Sequence, residues 1–132
     1  MSVFVDTSAF YALLDADDEN YGPSASTWRE IMASDEQVMT TNYVLVETFA
    51  LLQSRLGLRA LRDFQADVVP VLHVEFVTPE IHQFGIAALF GASRRGLSLV
   101  DCVSFEVMRE SGIKSAFTFD RHFREYGFTA VP

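Results

Sequence analysis

Short apolar runs alternate along the chain with stretches in which apolar residues recur every three or four positions. The short runs predict buried strands, and the recurring positions predict helices. Strands and helices that alternate in this way are typical of a parallel α/β sheet. The predicted strands cover 3–5, 37–40, 71–77, 116–119 and, at the sheet edge, 128–131. The predicted helices cover about 8–14, 23–33, 43–56, 58–68, 79–95 and 100–111.

Residues at the ends of these segments support the predicted helix boundaries. Thr41 and Asn42 are good N-cap residues for the third helix, and Gly57 follows its predicted end. Pro23 and Pro79 stand where a helix can begin, because proline is well accepted at the first helical position.

The composition predicts one folded domain over residues 1–132. Apolar residues make up 49% of the chain and aromatic residues 13%, which argues against disorder. No apolar run approaches the roughly 20 residues that a membrane helix needs, and the first residues do not resemble a signal peptide.

Cys102 is the only cysteine, so no internal disulfide is possible and a cytoplasmic location is expected. Cys102 and the many phenylalanines, including Phe123, are predicted to pack in the core.

The net charge of −8 is unusual for a protein that binds nucleic acid, where a basic surface normally supplies affinity. The excess is confined to residues 1–50, which carry nine acidic residues and a single basic one, Arg29. Such an acidic segment fits metal binding or a basic protein partner.

Four acidic residues stand in places where a carboxylate is costly. Asp6 and Asp120 each follow an apolar strand, at the end where parallel α/β sheets bind their ligands. Glu47 has Tyr43, Val44, Ala50 and Leu51 at helical spacing, and Asp101 lies within the apolar stretch 97–103. These neighbours predict an apolar setting for both helix-borne acids.

Buried carboxylates need a cation or hydrogen-bond donors. No lysine or arginine lies at helical spacing from Glu47 or beside Asp6, so a hard divalent cation is the simplest compensation. Taken singly, each acid also has an ordinary structural explanation: Asp6 and Asp101 can cap helices, Asp120 can begin a turn, and Glu47 can reach solvent. Four independent structural explanations are less economical than one shared metal site.

The segments that carry these acids resemble the motifs of the PIN-domain family, and within it the VapC-type ribonuclease toxins of prokaryotic toxin–antitoxin pairs. The motifs are VDTS at 5–8, TN at 41–42 with VLVE at 44–47, LSLVDCVS at 97–104 and TFDRHF at 118–123. Their order and spacing agree over essentially the whole chain.

This resemblance implies a three-layer α/β/α sandwich around a parallel sheet of four to five strands. It also implies that Asp6, Glu47, Asp101 and Asp120 hold Mg²⁺ or Mn²⁺ for endonucleolytic cleavage of RNA. A VapB-like antitoxin and a homodimer are the expected partners. Asp6 and Asp101 are the leading direct ligands, with Asp120 direct or through water, and Glu47 either a ligand or a base for the attacking water.

Weaker candidates flank the four acids. The hydroxyls of Ser8 and Thr118 can hold neighbouring ligands in place, or bond only to backbone. Arg121 and His122 can meet RNA phosphates, whereas Arg124 fits an ordinary solvated turn better. His73 and His82 are isolated and receive no role.

Other functions use the same residues. A metal-dependent phosphatase or DNA nuclease would need the same carboxylates, and a catalytically idle PIN-like module could bind RNA or protein. The intact acidic quartet disfavours the idle module. A receiver domain is disfavoured because Lys114 precedes the fourth strand instead of following it.

Overall fold

The computed structural model describes all 132 residues and contains five strands and seven α-helices. The strands are β1 (Ser2–Val5), β2 (Gln37–Thr41), β3 (His73–Glu75), β4 (Ser115–Phe117) and β5 (Thr129–Val131). The helices are α1 (Thr7–Leu14), α2 (Tyr21–Ala33), α3 (Asn42–Arg55), α4 (Leu58–Asp63), α5 (Pro79–Ala92), α6 (Leu99–Ser111) and α7 (His122–Glu125). None of these helices is both long enough and apolar enough to span a bilayer.

All five strands are parallel and lie in the order β3-β2-β1-β4-β5. In the register of the central strand, Val3 lies opposite Val38 on one side and Ser115 on the other. Helices cover both faces, so the predicted three-layer α/β/α sandwich with a parallel sheet is confirmed. Because every strand runs the same way, the segments that follow β1, β2 and β4 leave the sheet at one edge.

The apolar residues of the predicted strands form the centre of the core. A cluster of 22 buried residues surrounds the sheet, and Phe4, Phe105 and Phe123 are among its fully buried side chains. Cys102 also belongs to this cluster, which confirms the prediction that it is a core residue.

Helices α5 and α6 pack closely on one face of the molecule, and a glycine sets their separation. A Cβ atom on Gly85 would lie 2.7 Å from a Val103 methyl carbon and 3.3 Å from one of Leu99. Gly91, on the same helix, would meet nothing within 4 Å. The α5–α6 contact therefore depends on the missing side chain at position 85.

Several predicted boundaries were wrong, and local hydrogen bonds explain them. β4 ends at Phe117, not at residue 119, because the Phe119 N–H donates to Ser8 Oγ instead of continuing the ladder. α5 ends at Ala92 because Ser93 takes a left-handed conformation (φ 52°). β3 is shorter than predicted.

Two helical segments were not predicted from the sequence pattern: a π-helical turn and a short additional helix. The helix predicted over 58–68 loosens at Phe64–Val68 into a turn of π-helix, and continues through a 3-10 turn at Val69–Val71. The short helix α7 escapes prediction because a single turn leaves no periodic signal.

Candidate active site

A cavity of about 660 Å³ lies at the edge of the sheet that is formed by the C-terminal ends of β1, β2 and β4. All four predicted acids line it, although they come from four different parts of the chain. The lining residues are Asp6, Thr7, Ser8, Glu47, Ala50, Leu51, Ser54, Gly96, Ser98, Asp101 and Asp120. No lysine or arginine is among them, so the cavity gathers negative charge without a basic side chain to neutralise it.

Asp6 lies at the base of this cavity, between the end of β1 and the start of α1. It is only 4% exposed, and its side chain caps α1 through a 3.4 Å hydrogen bond from the Ser8 backbone N–H. Burial raises the pKa of Asp6 to about 6, with further repulsion from Asp101 and Asp120. Asp6 is therefore both a helix cap and a destabilised carboxylate, so its structural role does not exclude a functional one.

Two hydroxyl groups hold the Asp6 carboxylate in place. Ser8 Oγ donates to Asp6 Oδ2 at 2.8 Å, and Thr118 Oγ1 donates to the same oxygen at 3.1 Å. In turn Ser8 Oγ accepts from the Phe119 N–H and Thr118 Oγ1 accepts from the Asp120 N–H, each at 2.9 Å. All the donors to Asp6 converge on Oδ2, which leaves Oδ1 as the oxygen free to bind a cation.

Asp101 lies in the first turn of α6, where it completes a capping box with Ser98. The Ser98 hydroxyl accepts from the Asp101 N–H at 3.0 Å, and Asp101 Oδ2 accepts from the Ser98 N–H at 3.1 Å. Burial raises the pKa of Asp101, and the charge of Asp120 raises it further. Ser98 is not among the predicted site residues, although Ser-x-x-Asp before an apolar run is a sequence signature of a capping box.

Glu47 differs from the prediction made for it. The side chains of α3 that point into the core are Val44, Thr48 and Leu52. Glu47 lies beside this buried stripe and is exposed to solvent. The predicted apolar setting for Glu47 was wrong. Its carboxylate still lines the rim of the cavity, where partial loss of water raises its pKa and Asp6 and Asp120 add repulsion.

Asp120 lines the cavity, and His122 contacts it without lining the cavity itself. Asp120 Oδ1 accepts from the His122 backbone N–H at 2.9 Å, which fixes the start of α7. The His122 ring is buried, and its Nδ1 lies 2.7 Å from the same Asp120 oxygen without the alignment of a hydrogen bond. His122, which the sequence offered as a contact for RNA phosphate, therefore faces the acids.

The predicted basic contacts lie outside the cavity. The Arg121 side chain is 80% exposed, and its Nε is 3.4 Å from Glu125. Arg94 pairs more tightly with the same glutamate, at 2.7 Å. Of the two residues suggested for contact with RNA phosphate, only Arg121 is accessible to a polymer at the surface.

The chemistry of the donor groups fits a divalent cation. Carboxylate oxygens are the ligands that Mg²⁺ and Mn²⁺ prefer, and here four carboxylates line one cavity that has no basic side chain. Oxygen or nitrogen atoms of Asp101, Asp120 and His122 lie within 4.8 Å of one another, close enough to share one ion. The Nδ1 of His122 is a further buried atom that lacks a partner.

Comparison with known proteins finds relatives that match nearly the whole chain. The family model for the PIN domain matches residues 3–129. The 23S rRNA-specific endonuclease VapC20 of two Mycobacterium tuberculosis strains is 38% identical over 130 residues, covering 98% of this chain and 97% of the relative.

Solved structures agree with that result. The crystal structure of Mycobacterium tuberculosis VapC20, described as a sarcin–ricin loop cleaving toxin, superposes with a TM-score of 0.85 and 37% identity over 96% of both chains. VapBC2 from Rickettsia felis, bound to a DNA fragment from their promoter, gives a TM-score of 0.71 at 9% identity over 98% of this chain and 97% of that one. At that identity the second likeness shows the fold alone.

Proposed function

The chain belongs to the PIN-domain family, and we propose that it is a metal-dependent endoribonuclease acting as the toxin of a VapBC-type toxin–antitoxin pair. The observation that carries this proposal is the cavity at the sheet edge, which Asp6, Glu47, Asp101 and Asp120 line without a lysine or arginine. The resemblance to VapC20, an rRNA endonuclease, extends over nearly the whole chain and supports the reaction class of a nuclease, hence a hydrolase.

Asp6, Asp101 and Asp120 are proposed to hold Mg²⁺ or Mn²⁺, with Glu47 as a ligand or a base. Such an ion supplies a Lewis acid that stabilises negative charge on the scissile phosphate and favours ionisation of water. The raised pKa values of Asp6 and Asp101 support this role, because both carboxylates ionise at a cost that a cation offsets.

The chain's own groups then have separate tasks. Glu47, exposed at the rim, accepts a proton from the water that attacks the phosphate, and its raised pKa brings it nearer the pH at which such a base works. Ser8 and Thr118 keep Asp6 in one orientation. Arg121 contacts a neighbouring RNA phosphate from the surface.

RNA is the proposed substrate, with ribosomal RNA as the first class to test. The identity to VapC20 supports this choice, since that relative is named for cleavage of 23S rRNA. The acidic character of the chain implies that affinity comes from a few local contacts and the metal, and that a large basic surface is not the source.

A VapB-like antitoxin is the proposed inhibitor. Next to the acidic cavity lies a smaller, more apolar pocket of about 350 Å³, lined by Asn42, Tyr43, Val46, Glu47 and Val100. Val46 is 70% exposed there, and Leu58 is 52% exposed on the following helix. An apolar partner segment that covers Val46 would bring an arginine or lysine within reach of the acids, where it would replace the cation.

A homodimer is proposed as well. Helix α5 leaves two large apolar side chains in water, Phe84 at 51% and Phe90 at 73% exposure. Exposed aromatic side chains of this size favour burial against a second protein surface. Sedimentation of the purified chain with and without its partner tests this assembly directly.

A substrate panel tests the proposed activity. A 23S rRNA fragment containing the sarcin–ricin loop, an unrelated RNA, single-stranded DNA and a phosphomonoester are incubated with Mg²⁺, with Mn²⁺ or with EDTA. We expect metal-dependent cleavage of RNA only, lost in Asp101→Asn and retained in Asp35→Asn, an exposed acid outside the cavity. Cleavage of DNA or phosphomonoester alone would indicate the other nuclease or phosphatase functions. Activity undiminished in EDTA would contradict the metal site, and no cleavage of any substrate would indicate an idle binding module.

A further inference from the structure

His122 stands apart from the rest of the site because it brings a nitrogen atom into a group of carboxylates. The residue is 8% exposed and begins helix α7. Its Nδ1 is buried, makes no hydrogen bond and lies 2.7 Å from Asp120 Oδ1. A buried ring nitrogen without a partner is costly, so something is needed to satisfy it.

The surroundings of the ring limit what can satisfy this nitrogen. On one side the ring meets the Gly96 backbone, where a Cβ atom added to the glycine would lie 3.8 Å from both Cε1 and Nε2. Asp101 and Asp120 also stand next to the ring, and their ligand atoms lie within 4.8 Å of a His122 ring nitrogen and of each other. An acceptor nitrogen and two carboxylates at these separations can share one cation.

We propose that His122 is a nitrogen ligand of the cation held by Asp101 and Asp120. This inference rests on the proposed function, since it concerns the same ion. The neutral ring would carry its proton on Nε2 and direct the Nδ1 lone pair to the metal. Because imidazole binds transition metals much better than it binds Mg²⁺, the site prefers Mn²⁺ over Mg²⁺ more strongly than four carboxylates would.

The competing role for His122 is that of an ion-pair partner, with a protonated ring next to Asp120. The two roles predict opposite changes in metal affinity. Loss of a ligand weakens binding, whereas loss of a positive charge from an acidic site leaves metal binding unchanged or makes it tighter. A variant that keeps a polar side chain of similar size but removes the imidazole ring therefore distinguishes the ligand role from the ion-pair role.

Pulsed EPR of the Mn²⁺-loaded protein tests the ligand directly and needs no variant. The chain has three histidines, of which His73 is half-exposed and pairs with Glu75 at the surface, while His82 Nδ1 is hydrogen-bonded to the Tyr43 hydroxyl. We expect the bound Mn²⁺ to show coupling to a histidine nitrogen that changes when histidine alone is labelled with ¹⁵N. Mn²⁺ that binds without this coupling would overturn the ligand role and leave the proposed function intact. An absence of any Mn²⁺ binding would overturn both.

Calorimetry supplies the second readout. His122→Gln is expected to weaken Mn²⁺ binding at least ~10-fold, and Mg²⁺ binding by less, while His73→Gln changes neither. Circular dichroism and thermal unfolding verify that each variant is folded. If His122→Gln does not fold, the EPR result on the wild-type protein decides the question. Unchanged or tighter Mn²⁺ binding in folded His122→Gln would overturn the proposal in favour of the ion pair.

Discussion

Thr118 donates a hydrogen bond of 3.1 Å to the carboxylate of Asp6, a residue 112 positions earlier in the chain. Ser8 donates to the same oxygen at 2.8 Å. The two hydroxyls tie the loop after β4 to the start of α1, and together they set the direction in which Asp6 presents its remaining oxygen.

Removing either hydroxyl should weaken the metal site while leaving the fold in place. We expect Ser8→Ala and Thr118→Val to lower metal affinity and cleavage by ~10- to 100-fold, because the orientation of Asp6 is no longer held. Calorimetry with Mn²⁺ and a cleavage assay measure the two effects. Ser54→Ala is the matched control, since Ser54 lines the same cavity without holding an acid. Equal affinities in all three variants would contradict the orienting role.

Metal-free protein should become less stable as the pH rises from about 4 to above 6. The folded-state pKa of Asp6 is raised from 3.8 to about 6, so between these values the folded protein binds more protons than the unfolded chain. The free energy of unfolding therefore falls with rising pH, by on the order of 3 kcal/mol for Asp6 alone. The pKa values of Asp101 and Glu47 are raised as well and act in the same direction.

Urea unfolding in EDTA from pH 5 to 7.5 measures this trend. Asp6→Asn should reduce this trend, because asparagine does not ionise, and saturating Mn²⁺ should reverse it by binding the ionised carboxylates. Stability that stays level or rises between pH 5 and 7 in EDTA would show that the carboxylates are not destabilised by burial.

The α5–α6 contact provides a stability test that is independent of the site. Gly85→Ala places a methyl group 2.7 Å from Val103, so we expect a loss of about 1–3 kcal/mol. Gly91→Ala, on the same helix and with nothing within 4 Å, should stabilise by about 0.5–1 kcal/mol, since alanine favours helix more than glycine does. Chemical denaturation measures both, and a stabilising Gly85→Ala would mean that the helices separate without cost.

Arg121 should contribute to RNA affinity through charge alone. Its side chain is 80% exposed, so Arg121→Ala is expected to weaken binding similarly for all RNA sequences and to reduce the salt dependence by about one unit of slope. Fluorescence anisotropy across a salt series, with Asp101→Asn as background to prevent cleavage, measures this. Arg59→Ala on α4 is the control, and an equal effect of both variants would indicate nonspecific charge.

Much of this architecture was predictable because the signals are local. The apolar run before Asp6, the cap residue Thr41 and the helix-start residue Pro79 are signals read over a few neighbouring positions. The structure has β1, α3 and α5 beginning within about one residue of where these signals place them. Parallel pairing then follows from the alternation of strands and helices, and with it the meeting of Asp6 and Asp120 at one edge.

The remaining features depend on contacts that no local pattern encodes. Whether Glu47 faces the core or the rim depends on which stripe of α3 meets α1 and the sheet, and apolar residues stand on both sides of it. The burial of His122 likewise results from the packing of α7, a helix of four residues. The network joining Ser8 to Phe119 spans 111 positions and arises only when β1 and β4 pair.

The sheet order also controls when the chain can become active during its synthesis. β1 is made first and sits in the middle of the sheet, yet its neighbour β4 leaves the ribosome only after every helix from α1 to α6 has been made. Until then Asp6 lacks the Thr118 hydroxyl, and Asp120 and His122 do not exist. A chain that is still being made therefore has no complete acidic site, and a partner made alongside it has the whole elongation time in which to be ready.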